Sequence, residues 1–176
     1  MRFRWVLSRV VTAVLLGASV AAAQSASDAA VLNRFKAAFL YHFTTYVTWP
    51  ESTQDSLFVV GVLGDSPILP LLEELASTKE VGDRHMVVKQ LASIVEVQDC
   101  QMLFVTRAFT DQAAVIDSMA AAHSVLTVSD RADAEDFIIR FILVDGKLKF
   151  AVDQEALRRA DLRASAHLLK LAIAER

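Results

Sequence analysis

The chain has 176 residues, 54% of them hydrophobic, with 18 basic and 21 acidic side chains and four histidines. That length supports one domain with a sizeable core, and the acidic balance excludes the basic footprint that nucleic acid or an anionic membrane surface requires. With Cys100 as the single cysteine, no internal disulfide can form.

The N-terminus reads as an export signal. Arg2, Arg4 and Arg9 form a basic segment, Val10–Val20 an apolar one, and Ala21-Ala22-Ala23 a small-residue cleavage site before Gln24. The apolar run is short for a bilayer span, and no second run of membrane length follows. Residues 1–23 are therefore expected to leave as a secretory signal, and residues 24–176 to form a soluble, exported domain without membrane insertion. No cysteine lies at the cleavage site, so no lipid anchor is expected. Loss of three arginines takes the 18 basic residues to 15 against 21 acidic ones, a formal charge of −6.

Asp28 is placed to cap the first helix of this domain. Phe35, Phe39, Leu40, Phe43, Tyr46 and Val47 recur at three- and four-residue steps, the face of a helix that Trp49-Pro50 stops. Its other side presents His42, Thr45 and Thr48. After a polar loop over Glu51–Ser56, the apolar run Leu57–Leu63 has the pattern of a strand covered on both faces. Gly64-Asp65-Ser66-Pro67 leads into a helix, with Ser66 as N-cap, Pro67 at its first position, and Leu69, Leu72, Leu75 and Ala76 as its marks. Further strands are predicted over His85–Leu91, Met102–Thr106 and Ser124–Val128. An alanine-rich helix over Asp111–Ala122 is predicted to turn Val115, Ile116 and Met119 to one face. Phe137–Val144 and Lys147–Val152 form a hairpin around Asp145-Gly146. Helices over Gln154–Ala160 and Ser165–Ala174 close the chain, the second with Leu168, Leu169, Ala172 and Ile173 inward. The order predicts an α/β fold: one layered domain with a mostly parallel sheet, an antiparallel hairpin at one side and helices on both faces.

Chemistry is sparse. No G-x-S-x-G elbow, phosphate-binding P-loop, H-E-x-x-H or C-x-x-C occurs, and His42, His85, His123 and His167 show no metal-ligand spacing. No catalytic, metal or cofactor residue is assigned. Gly64, Asp65 and Ser66 follow a strand and open a helix, where free N–H groups favour an anion. A plain βα turn explains the same residues. Arg140 interrupts an apolar strand, which an edge position or a snorkelling side chain would explain; the alternative is that it faces a partner. Lys147 and Lys149 alternate with apolar residues, giving the hairpin a polar face. Cys100 precedes an apolar run and reads as a small buried hydrophobe, with an intermolecular Cys100–Cys100 link as the other reading.

Two blocks carry a resemblance: Lys36-Ala37-Ala38-Phe39-Leu40-Tyr41-His42-Phe43 through Val47-Thr48-Trp49-Pro50, and Gly146–Asp153 with Leu162–Ser165 and Leu168–Ala172 downstream. Val62–Pro67, Leu103-Phe104-Val105 and Leu126–Asp130 fall between them in the same order. Together they resemble the YfiR family of small periplasmic proteins. The resemblance implies a non-enzymatic repressor that binds the periplasmic part of an inner-membrane diguanylate cyclase and that an outer-membrane lipoprotein can draw away. Release would raise cyclic-di-GMP and promote biofilm formation. Arg140, Lys147, Lys149 and His42 are the expected partner contacts, and a homodimer is an open option. The alternative function is a periplasmic small-molecule-binding module, through Gly64–Ser66 or an aromatic-lined cleft; an exported hydrolase ranks last. The chain departs from the family at Asp136-Phe137, where relatives carry a glycine pair, at Asp161, where they carry glycine, and in lacking the paired cysteines of some relatives.

Overall fold

The computed structural model describes the backbone of residues 3–50 and 56–173, with side chains from Gln24 onward except Ser25 and Thr110. The side chains of the expected leader, most of the 51–56 loop and the end of the last predicted helix lie outside the described residues. The chain divides into two compact units, Met1–Arg34 and Phe35–Arg176. In the first, the described residues belong to helix α1 (Phe3–Tyr46), and from Gln24 their described side chains are exposed or half-buried. Asp28 therefore lies inside a helix rather than capping one.

The second unit is built on a seven-stranded sheet. Its strands are β2 (Leu57–Leu63), β3 (Glu80–Val81), β4 (Arg84–Leu91), β5 (Met102–Val105), β6 (Leu126–Ser129), β7 (Ile139–Val144) and β8 (Lys147–Val152). They lie in the order β3-β4-β2-β5-β6-β7-β8, with β4, β2, β5, β6 and β7 mutually parallel and β3 and β8 antiparallel at the two ends. The continuous apolar run gives β2, whose residues alternate between two cores. Phe58, Val60 and Val62 join one cluster with Leu40, Phe43, Leu72, Phe141 and Phe150, whereas Val59 and Leu63 join another with Val97, Ile116 and Phe137. Residues of α1, α2 (Leu69–Ala76), α4 (Gln154–Arg159) and α5 (Ala166–Leu171) lie in the first cluster; those of α3 (Ala113–Ala122) lie in the second. The expected mixed α/β sheet is present.

Local chemistry accounts for most boundaries. Asp145 and Gly146, at φ 51° and 72°, make the two-residue turn that pairs Val144 with Lys147. Asp153 caps α4 by accepting from the N–H groups of Glu155 and Ala156, and Ser165 caps α5 by accepting from Leu168. A short 3-10 helix over Ile94–Asp99 occupies the polar connection, held by a capping box between Ser93 and Glu96.

Several expectations need correction. Ser66 is not the cap of α2: the helix starts at Leu69 after Ile68, and Ser66 Oγ only accepts from the Ile68 N–H at 3.4 Å. Pro70, not Pro67, is the proline of its first turn. In α3 the buried residues are Ala113, Ile116 and Ala120, while Val115 is 51% exposed. In α1 Phe35 is 56% exposed and Lys36 is buried, its ammonium 2.5 Å from Asp130 Oδ1 at the end of β6. A lysine stem can line an apolar surface when its tip meets a carboxylate.

Cys100 is 2% exposed, which fits the small-hydrophobe reading. A Cβ on Gly61 would stand 2.7 Å from its Sγ, so the thiol fills the space that glycine leaves. Burial pushes the thiol up to about 11 from 9.0. Because the folded value is the higher one, its contribution is complete below pH 9 and is lost as the pH rises toward 11. Urea titrations at pH 8 and 10.5 should show stability falling across this window, by roughly 1–2 kcal/mol by linkage, and less in Cys100→Ala. A thiol reagent at pH 8 should leave the native protein unmodified and label it only on unfolding.

Candidate functional site

The two ends of the second unit meet at Trp49. After α1 stops, β1 (Val47–Thr48) pairs antiparallel with β9 (Arg163–Ala164), Val47 opposite Ala164 and Thr48 opposite Arg163. The Ser165 N–H donates to the Tyr46 carbonyl at 2.8 Å and extends the clasp. Trp49 is 5% exposed; its Nε1 donates to the Gln101 carbonyl at 2.9 Å and its ring stands edge-on to Phe58 at 4.9 Å. The Gln101 side chain accepts from the Val59 N–H at 2.7 Å, fixing the other side of that contact. The Arg84 guanidinium lies 4.7 Å from the centre of the Phe58 ring, a cation–π arrangement.

Two open clefts border this clasp and share Thr48 and Trp49 in their linings. One, of about 500 Å³, is lined by Thr44, Thr45, Thr48, Trp49, Asp83 and Arg84 among others. The other, of about 310 Å³, is lined by Thr48, Trp49, Pro50, Asp161 and Arg163. Hydroxyls, one guanidinium and one carboxylate in each suit a polar or charged group on a ligand or partner. Among the described lining residues of the two clefts there is no histidine, cysteine or serine. No described cluster of histidine, cysteine and carboxylates could hold a metal ion.

Asp161 has φ 54°, a left-handed conformation that costs a non-glycine residue about 1 kcal/mol. This is the position where the resemblance leads one to expect glycine. Asp161→Gly should therefore leave stability unchanged or raise it by about 0.5–1 kcal/mol, whereas a β-branched Asp161→Val should lower it; thermal melts of the two would check this. At the other departure the backbone takes its own course. Asp136 and Phe137 have no positive φ, Phe137 is fully buried, and the Ile138 N–H donates to Thr127 Oγ1 at 3.0 Å.

Of the expected partner residues, His42 lies apart from the other three. Strand register puts Arg140, Lys147 and Lys149 on one face of the hairpin, opposite the Phe141–Phe150 face that meets Phe39 and Phe43 of α1. His42 is exposed on α1 instead, its ring 6.5 Å from Tyr46, which in turn lies 5.1 Å from His167. Arg140 is not at an edge: β7 lies between β6 and β8, and the side chain is 9% exposed with Nη1 donating to the Ala132 carbonyl at 3.1 Å. Lys147 and Lys149 are exposed on the edge strand.

The Gly64–Ser66 turn spends its polar groups internally. The Gly64 N–H reaches the Leu91 carbonyl at 3.3 Å, Asp65 Oδ1 accepts from Gln90 at 2.7 Å, and Ser66 bonds toward Ile68 and Leu69. The plain βα turn accounts for it. Sequence reading missed Arg84, Thr48 and Arg163 as a group, because only the clasp brings them around Trp49. The signal available was that Trp49-Pro50 and Leu162–Ser165 both belong to the resembling blocks.

A search of curated proteins finds no match. The family model described as YfiR/HmsC-like matches residues 33–173, which includes α1 from its last turns, the whole sheet and the clasp. The chain belongs to the YfiR/HmsC-like family.

Proposed function

We propose that this protein is a periplasmic, non-enzymatic regulator of cyclic-di-GMP signalling that binds and represses the periplasmic part of an inner-membrane diguanylate cyclase. The observation that carries the reading is the family match over residues 33–173. The clefts at Trp49 support it by offering hydroxyls, a guanidinium and a carboxylate that suit binding a charged or polar partner. The reading takes residues 1–23 as a cleaved leader and residues 24–176 as one layered α/β domain.

The mechanism is a population shift. The regulator holds the cyclase inactive by binding that arrangement more tightly, and an outer-membrane lipoprotein that competes for it releases the enzyme. Affinity capture from detergent-solubilised membranes tests this. Recovery of an inner-membrane signalling protein is expected; recovery of none overturns the assignment.

A second reading rests on the smaller cleft, where Arg163 and the Thr48 hydroxyl could hold an anionic small molecule beside Trp49. A specific ligand would raise the melting temperature with its saturation, and Arg163→Ala would abolish the rise.

A further inference from the structure

Beyond Arg140 the β7–β8 hairpin stands as a two-stranded ribbon. β6 pairs only with Ile139 and Arg140, and no described strand flanks Phe141–Val144 on that side. Two strands alone are marginal in water, and a third steadies them. The ribbon also carries large apolar side chains in the open: Leu143 is 58% exposed and Val144 41%.

Register fixes what the outer edge of β8 offers. The Phe150 carbonyl accepts from the Ile173 N–H at 2.9 Å, so the backbone groups of Phe150 point away from β7. Alternation along the strand turns the N–H and carbonyl of Leu148 the same way, while those of Lys147 and Lys149 turn toward Val144 and Ile142. No described strand pairs with Lys147–Lys149 on the outer side. The exposed Lys147 and Lys149 side chains share one face of the ribbon. Leu148 lies on the other, opposite Leu143 and packed against the core. A lysine on an edge strand commonly keeps other strands away. Two of them at alternate positions also select, because a basic edge is repelled whereas carboxylates in the same alternation are drawn in.

We infer that this edge docks an extended segment of a partner protein with the pattern acid–apolar–acid, added antiparallel to β8. The apolar residue lies opposite Leu148, exchanges both backbone hydrogen bonds with it, and covers the apolar face at Leu143 and Leu148. The two carboxylates then stand opposite Lys147 and Lys149 on the other face. Ile173 already occupies the edge at Phe150, so the added segment is short and charge supplies much of its selectivity. The inference rests on the reading of this protein as a binding regulator, and it gives the chemistry of the partner's docking segment.

Amide hydrogen exchange on the exported protein, with a capped peptide of alternating glutamate and valine as the probe, tests the inference. The Leu148 amide should exchange several times more slowly as the peptide is added, and less so at high salt. The double variant Lys147→Glu with Lys149→Glu, folded by its circular dichroism spectrum, should remove that slowing. A Leu148 amide that the glutamate peptide leaves unchanged overturns the inference, as does equal slowing by a peptide with lysine in place of glutamate. Affinity capture from solubilised membranes, with the wild type and the double variant side by side, separates this inference from the regulator reading. The wild type should recover the signalling protein, and the variant should recover about tenfold less or none. Equal recovery by both overturns the docking edge and leaves the regulator reading standing. Recovery by neither, with the Leu148 amide still slowed by the glutamate peptide, overturns the regulator reading and supports the edge.

Discussion

Phe43→Ala is expected to cost about 3–5 kcal/mol, enough to lower the melting temperature by roughly 10 °C or more in a domain of this size. Phe43 is fully buried, and its ring lies 6.1 Å from Phe39, 6.0 Å from Phe141 and 5.1 Å from Phe150. These four rings join α1 to the β7–β8 hairpin, the two parts of the chain that hold the family blocks. Truncation removes the aromatic pairs and leaves a cavity walled by two strands that cannot collapse onto it. Phe39, partly buried, should cost less. Denaturant melts of both variants check the order, and a Phe43→Ala protein as stable as wild type would mean that α1 does not anchor the sheet.

Gly64→Ala is expected to be nearly as damaging, at about 2–4 kcal/mol. Gly64 has φ +90°, and a Cβ there would fall on Thr106 Oγ1 and against the Phe109 ring. Thr106 Oγ1 donates to the Leu63 carbonyl at 2.8 Å in a buried position, so moving it breaks a hydrogen bond as well as relieving the overlap. The same glycine attracts attention as a ligand-binding residue when only the sequence is in view. Its structural job is close packing of two parallel strands where their loops leave the sheet. A stability loss in the purified protein, with the thermal response to small anions unaltered, separates the two roles.

Elements with strong local signals were legible. The uninterrupted apolar run bounded β2 at Leu57 and Leu63, and Asp145-Gly146 located the hairpin turn. What was hidden depended on distant partners. Phe35 reads as part of the apolar face of α1, yet it lies exposed, while its neighbour Lys36 is buried with its ammonium at Asp130. The hairpin was visible around Arg140, but nothing local shows that β6 flanks the other side of its strand, so Arg140 reads as an edge residue. β3 is two residues long and leaves no periodicity to detect. For the candidate site the limits were sharper. Trp49 and Arg163 sit near opposite ends of the domain sequence, and only the pairing of Thr48 with Arg163 makes them neighbours. Lys147 and Lys149 were correctly placed as exposed, but register separates them from His42.

Intracellular cyclic-di-GMP, measured with and without the gene, tests the regulatory role most directly. Deletion should raise the nucleotide severalfold, and the wild-type chain exported to the periplasm should restore the low level. The rise should disappear when the captured cyclase is also deleted, since a repressor has no effect without its target. An unchanged or lower nucleotide level on deletion, in cells that normally make the protein, would contradict repression.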